Sequence, residues 1–388
     1  MDDKLLLMIP GPTPVPERVL QAMARGPMEH RSKEFTAILQ DVSEKLRWLH
    51  QTKEDVYIFS ASGTGAMEAG IINVLSPGDR VLCGVNGKFG ERWADLADAF
   101  GLVCERIETP WGIPYPVEVF AEKLATDNEK TIKAVILTHS ETSSAVTNDV
   151  AAIAKLAQAH GEALVIVDGV TSVGCMSLPM DEWGVDIVAS GSQKGYMIPP
   201  GLGFVAVSQR AHAASKQSKF PKYYWSFAQA RKDLAKGTTP FTPAVNLIYA
   251  LQASLTMMHA EGLDNIYTRH RRLGAATRAG IKALNLRLLA PEAAASEAVT
   301  AVLTPDGLDA DKVRSVLKKE FDIATAAGQD HLKGKIFRIG HLGFISERDI
   351  LMTLSCLESA LPSVGYHDFT PGASTAAARQ VFHSEKSL

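Results

Sequence analysis

Between residues 55 and 210 the chain alternates short apolar runs, rich in Val and Ile, with longer stretches of helical spacing. VYIFS (56–60) precedes SGTGAMEAGIINVL, RVLCGV (80–85) precedes KFGERWADLADAF, and KAVILTH (133–139) precedes DVAAIAKLAQAH. ALVIVD (163–168) runs into the turn GVTS, DIVAS (186–190) into SGSQKG, and GFVAV (203–207) ends the series. Strands that are apolar at consecutive positions need cover on both faces, and parallel neighbours need a crossover between them. The pattern therefore predicts an α/β fold built on a mostly parallel sheet with helices on either side.

The rest of the chain is less regular. Residues 208–242 turn basic and aromatic, with FPKYYWSF in the middle. A stretch from about 243 to 284 has few breakers and reads as long helix, and the remainder suggests a smaller α+β unit. Strands are expected there at AVTAVLT (298–304) and KIFRIG (335–340), with helices near 309–320 and 346–360. The expected organisation is an extended arm over 1–16, a large domain over 17–260, a small domain over 261–370, and a small, polar, loosely ordered tail over 371–388. A length of 388 residues, 46% of them hydrophobic, is enough for two cores of this kind.

Charge and cysteine usage narrow the partners. The formal net charge is −3 and the basic residues form no long run, which argues against a nucleic-acid or membrane surface. Cys83, Cys104, Cys175 and Cys356 are scattered and form no metal-type pair, as reduced thiols in a cytoplasmic protein would be. MDDKLLLMIPGPTPVP lacks the basic leader and long apolar core of an export signal, so a cytoplasmic location is expected.

Ligands of such sheets sit beyond the carboxyl ends of the strands. Three segments fall there. SGTG sets Ser62, Gly63, Thr64 and Gly65 at a helix start, where free N–H groups suit either a phosphate or an ordinary cap. A dinucleotide fingerprint would need glycine at the position of Glu68, and no Walker-type loop occurs. Asp168 ends an apolar run, as a turn cap or as a buried carboxylate for chemistry. Lys194 lies in SGSQKGYMIPPGLGF, and no Asp or Glu stands between Asp186 and Asp233 to pair with it. An isolated lysine is most often a surface charge. In an apolar pocket it loses its proton readily and attacks carbonyls. A phosphate cradle, a buried carboxylate and a carbonyl-reactive lysine, in this order, are the parts that pyridoxal 5′-phosphate requires.

With those residues in place, the chain resembles the class V, fold-type I pyridoxal-phosphate aminotransferases, in the alanine–glyoxylate and serine–glyoxylate branch. The resemblance rests on IPGPTPVP (9–16), PMEHRSKEF (27–35), SASGTGAMEAGIINVLSPGD (60–79) and NGKFGERW (86–93). It continues through THSETSSAV (138–146), VDGVTSVGC (167–175), SGSQKGYMIPPG (190–201) and FRIGHLG (337–343). It implies a three-layer fold with a mostly parallel central sheet and a smaller C-terminal α+β domain. It also implies site roles. Lys194 resembles the lysine that forms the Schiff base and shuttles the Cα proton, and Asp168 the partner of the pyridine nitrogen. Ser62, Gly63, Thr64 and Gln193 resemble the phosphate site, Phe89 the ring-stacking position, Thr142 the contact to the ring's 3-oxygen, and Arg338 the grip on the substrate carboxylate.

Thr242, in TTPFTP (238–243), resembles the residue by which a neighbouring subunit reaches the phosphate, and in relatives the proline-rich arm crosses to the partner. The resemblance thus implies a homodimer acting on small amino acids and 2-oxo acids, with no metal. Phe89 stands where several relatives have Trp, Thr239 where some have Tyr, and Ser226 where an acidic residue is common. Tyr224 and Trp225 read as packing residues, and His139 as structural. The expected activity is transfer of an amino group from alanine or serine to glyoxylate. The alternatives are aminoethylphosphonate transamination, cysteine desulfuration through a mobile Cys, or an accessory subunit with the same fold.

Overall fold

The computed structural model describes residues 5–384. In chain order its strands are β1 (Leu6–Met8), β2 (Asp55–Ala61), β3 (Arg80–Val85), β4 (Val103–Glu108), β5 (Ile132–Thr138), β6 (Ser140–Glu141) and β7 (Val146–Thr147). They continue with β8 (Leu164–Asp168), β9 (Ile187–Gly191), β10 (Gly201–Val207), β11 (Arg287–Leu288), β12 (Val299–Leu303), β13 (Ile323–Ala327) and β14 (Ile336–Gly340).

The large sheet has the order β2-β10-β9-β8-β5-β3-β4. All its pairings are parallel except those of β10, which runs antiparallel to both β2 and β9. Side chains alternate across it as a pleated strand requires. Val165 and Val167 join one core with Leu137 and Val188, while Leu164 and Ile166 join the opposite core with Ile136 and Ile187. Both faces are buried, which explains why these strands read as unbroken apolar runs. The edge strand β4, VCERIE, buries only Ile107 and gave no such run, so the pattern missed it.

The second sheet, β1-β13-β14-β12-β11, has its own core around Val302, Phe337, Ile339 and Leu354. Its first strand comes from the N-terminal arm: β1 pairs in parallel with β13, so residues 6–8 are part of this smaller sheet. The long helical stretch is two helices, Val245–Glu261 and Leu263–Ala283, split at Gly262, whose φ of 83° ends a helix in the way glycine allows.

The expectation of a loosely ordered tail is corrected. Residues Ala373–Ser384 form a helix that buries Ala378 and Phe382 against the small-domain core; residues 385–388 lie outside the described part. Its N-terminus is capped from a different helix. Glu358 accepts from Gly372 N at 2.6 Å and from Ser374 N at 2.8 Å. A small residue allows the close approach, since a Cβ at Gly280 would come within 3.1 Å of Ser374 O. Phe382→Ala should lower unfolding stability by about 3 kcal/mol, as loss of a buried aromatic does, measured by urea denaturation. A change under about 0.5 kcal/mol, the range of surface substitutions, would mean the helix is not docked in solution.

Candidate active site

Parallel strands deliver their carboxyl ends to one edge, and there the chain gathers its ionisable groups. Asp168 closes β8, Lys194 follows β9, Ser62 follows β2, and Glu141 lies just after β5. Arg338 arrives from β14 of the smaller sheet.

Lys194 is 8% exposed, and its Nζ donates to the carbonyl of Pro10. Burial, then the Arg338 charge, pull its ammonium down from the ordinary value to about 8, while Asp168 opposes them. The arm is fitted to this lysine. A Cβ on Gly11 would come within 2.6 Å of Lys194 Cδ, at a φ of 131° that also favours glycine. Thr13 Oγ1 donates to Lys194 O, and Thr13 N to Gln193 O. The arm expected to reach a partner thus contacts the lysine of its own chain.

The Asp168 carboxylate accepts from Val170 N at 2.9 Å and from the Trp93 indole at 3.2 Å. Burial pushes its carboxyl up; these two donors and the charges of Arg92 and Lys194 hold it down. His139 sits beside it, its N–H donating to Asp168 O and its ring edge-on to Trp183. Burial lowers the imidazole to about 4, so it is neutral near pH 7.

Arg338 is buried and immobilised by carbonyls. Nε and Nη2 donate to Ala327 O at 3.0 and 2.9 Å, and Nη1 to Thr142 O at 2.9 Å. Burial lowers it to about 10, which leaves it charged at neutral pH. A guanidinium has five N–H donors, so two remain for a carboxylate. Pairing of β14 with β12 and β13 carries Arg338 here.

The fit to a phosphate is tested by the turn after β2. Ser62 begins the helix Gly63–Val74 without a side-chain cap, so the first-turn N–H groups lack an internal acceptor. Gln193 Oε1 is buried and without a partner beside Gly191 and Gly63; an oxygen only accepts, so it is the NH2 end of this amide, turned to that position, that would serve a phosphate. Val170 packs on Gly63 so closely that a Cβ there would meet it at 2.8 Å. An uncapped N-terminus, an orphaned amide and glycines without room for a side chain suit a phosphate. Thr142 Oγ1 lies 2.5 Å from Thr171 Oγ1, so its hydroxyl is engaged within the chain.

Several predicted residues lie apart from this cluster. Thr242 is exposed, in a groove with Tyr224, Thr239 and Phe241, and no contact joins it to Lys194 among the described residues. Thr239 Oγ1 donates to Phe241 O, and Ser226 caps the helix Phe227–Leu234. Trp225 packs on Phe59 and against Gly65, while Tyr224 stacks on Phe241. Cys356 is on the helix Glu347–Ala360 of the smaller unit, on a regular element and not on a loop.

Sequence reasoning missed two groups. Glu141 is fully buried; its carboxylate accepts from Phe89 N at 3.1 Å, Gly90 N at 3.0 Å and Ser143 N at 3.0 Å. It caps the helix Lys88–Ala99 from outside, where Gly87 has no side chain to offer. A Cβ on Gly87 would come within 2.3 Å of Glu141 Cγ, so the glycine makes room for the acid. The second is Arg92, whose Nη1 donates to Thr64 Oγ1 at 3.2 Å and whose guanidinium lies 4.9 Å from the Phe89 ring centre. The i, i+3, i+4 spacing of Phe89, Arg92 and Trp93 was the available signal, because it sets all three on one helix face.

The lowered Lys194 ammonium has a direct consequence. Below pH 8 the amine is increasingly protonated; above it the nucleophile is free. Reductive labelling of Lys194 in the cofactor-free protein with an aldehyde and cyanoborohydride, followed by mass spectrometry, should rise through a midpoint near pH 8. A midpoint near 10.5, that of an exposed lysine, would contradict the buried geometry. Comparison with known proteins agrees with this arrangement. The Aminotransferase class-V family model matches residues 5–340. The chain is 58% identical to the soluble hydrogenase 42 kDa subunit of Anabaena cylindrica, over 98% of this chain and 100% of that one. It is 40% identical to the serine–glyoxylate aminotransferase of Hyphomicrobium methylovorum, over 97% of this chain and 94% of the relative. The crystal structure of the ureidoglycine–glyoxylate aminotransferase of Bacillus subtilis superposes with a TM-score of 0.93 at 30% identity, covering 98% of both chains. The chain belongs to the class-V aminotransferase family, with the fold-type I architecture.

Proposed function

We propose that the chain uses pyridoxal 5′-phosphate to transfer the amino group of alanine or serine to glyoxylate. The observation that carries this reading is the meeting of a desolvated Lys194, a buried Asp168 and a carbonyl-anchored Arg338 at one sheet edge. When bound, the cofactor supplies an aldehyde for the amine and a ring that withdraws electrons from the substrate Cα.

Each residue then has a task. Arg338 presents its two remaining N–H groups to the substrate carboxylate, with its plane set by Ala327 O and Thr142 O. Lys194 would hold and move the proton at the substrate Cα, and its lowered affinity for protons suits that exchange near neutral pH. Asp168 keeps the ring nitrogen protonated, since its carboxylate is fixed by Val170 and Trp93. Ser62, Gly63, Thr64 and Gln193 would hold the phosphate, Phe89 would cover the ring, and Thr142 would serve the 3-oxygen. Thr242 completes the phosphate site of a second copy of the chain, which accounts for its exposed position beside the aromatic groove. The keto acid from the donor leaves before glyoxylate binds, so the kinetics are ping-pong.

The fold bears on the rival reactions. Desulfuration needs a reactive thiol, yet Cys175, whose thiol feels the Lys194 charge, is buried and pushed up to about 12. A second reading is favoured by the name of the Anabaena relative: the chain serves as a subunit of a larger redox assembly. Among the described residues no group of three or more His, Cys, Asp or Glu is placed to hold a metal ion. No described helix is long and apolar enough to cross a membrane.

The purified protein, loaded with pyridoxal phosphate, is expected to be yellow and to bleach with alanine or serine, releasing pyruvate or hydroxypyruvate. Glyoxylate should restore the colour and yield glycine. Lys194→Ala should abolish turnover, and Arg338→Lys should raise KM about 10- to 100-fold, the cost of a charged hydrogen-bonding pair. Bleaching by aminoethylphosphonate alone would select that alternative. A loaded wild type inert to every amino acid would favour the accessory-subunit reading.

A further inference from the structure

The phosphate cradle has a charge problem. Ser62, Gly63, Thr64 and Gln193 bring hydroxyls, amides and backbone N–H groups, and none of them carries charge. Thr242, the residue assigned to the neighbouring copy, is neutral too. The cofactor's phosphate carries up to two negative charges at neutral pH, and neutral donors bind such a group less strongly than a cation does. Lys194 and Arg338 are committed elsewhere by the roles proposed above.

Arg92 is the cation at that end of the site. Its Nη1 donates to Thr64 Oγ1 at 3.2 Å, tying the guanidinium to the turn after β2. Its bond to Thr64 and its contact with the Phe89 ring place the guanidinium at the site end of its helix, where its charge is felt by both Asp168 and Lys194. Among the described residues no carboxylate lies within 4.0 Å of it, although most other arginines of the chain have such a partner. A partly covered guanidinium without a counter-ion is suited to receive one from a ligand. The helix that carries it is held at its N-terminus by Glu141, and the spacing of Phe89, Arg92 and Trp93 puts ring cover, cation and Asp168 anchor on one face.

We propose that Arg92 is a cofactor-binding residue, supplying the positive charge that neutralises the phosphate and doing so from the hydroxyl of Thr64. The inference rests on the cofactor reading given above. Its competitor is a structural role, in which the guanidinium merely packs on the Phe89 ring. Pyridoxal separates the two, because it has the same aldehyde and ring and lacks the phosphate.

The test titrates cofactor-free protein with pyridoxal phosphate and, separately, with pyridoxal, following the visible band that forms with Lys194. In Arg92→Gln, and in Arg92→Met, which keeps an aliphatic stem over Phe89, the Kd for pyridoxal phosphate should rise about 10- to 100-fold, the effect of losing a charged hydrogen bond. The Kd for pyridoxal should stay within about 2-fold, since the phosphate-free ligand forfeits no such bond. Arg92→Lys, which keeps the charge without the fork, should recover most of the loss. An unchanged Kd for pyridoxal phosphate in both neutral variants would overturn the inference alone, as would parallel weakening of both ligands. Failure of the wild type to bind pyridoxal phosphate would overturn the cofactor reading, and this inference with it.

Discussion

Burying charge without water is expensive, and the carboxyl edge of the large sheet buries several charges at once. Asp168 and Glu141 bring two carboxylates; Lys194, Arg338 and Arg92 bring three basic groups. Each is tolerated because fixed dipoles or an opposite charge reach it. Asp168 takes the Val170 amide and the Trp93 indole, Glu141 takes a ring of amides, and Arg338 takes two carbonyls. Lys194 is relieved in another way, by a lowered affinity for its proton and a carbonyl from the arm. A site assembled under those conditions is preorganised, because its dipoles are held by the backbone before any ligand arrives.

The helix Lys88–Ala99 is the member that transmits this order. Glu141 grips its first turn, and its inner face then sets Phe89, Arg92 and Trp93 against the interior. Glycine at 87 is the condition for that grip, as any side chain there would occupy the space of the Glu141 stem. The smaller sheet contributes in a complementary way. Its strand β14 places Arg338 across from Thr142, and its strand β1 feeds the arm directly over Lys194. A Cβ on Gly340 would meet Ile9 O at 2.3 Å, so the arm and β14 are in close contact where both approach the site.

Much of the large sheet was readable from the chain, because strands buried on both faces must be apolar at every position. RVLCGV was placed to the residue as β3, and ALVIVD and DIVAS within one residue of β8 and β9. Where a strand lies at an edge, that requirement lapses, and β4 escaped notice for this reason. The tail helix escaped for a different one. Its composition of Ala, Ser and Thr carries a weak apolar signal, and its cap, Glu358, sits on another helix. Local spacing cannot report a partner that is distant in sequence.

The residues themselves determined that there would be a parallel sheet with Ser62, Asp168 and Lys194 at its loaded edge, because apolar runs end there and strand direction puts those ends together. The absence of acids around Lys194 also stood in the chain, and it foretold a desolvated amine. Tertiary structure alone decided which groups complete the cluster. Pro10 reaches Lys194 across 184 positions, Arg338 reaches Thr142 across 196, and Glu141 caps a helix that begins 53 residues earlier, at Lys88 (141 − 88 = 53). Such contacts follow from how sheets, helices and loops pack against each other, which is a property of the whole chain and of no single segment of it.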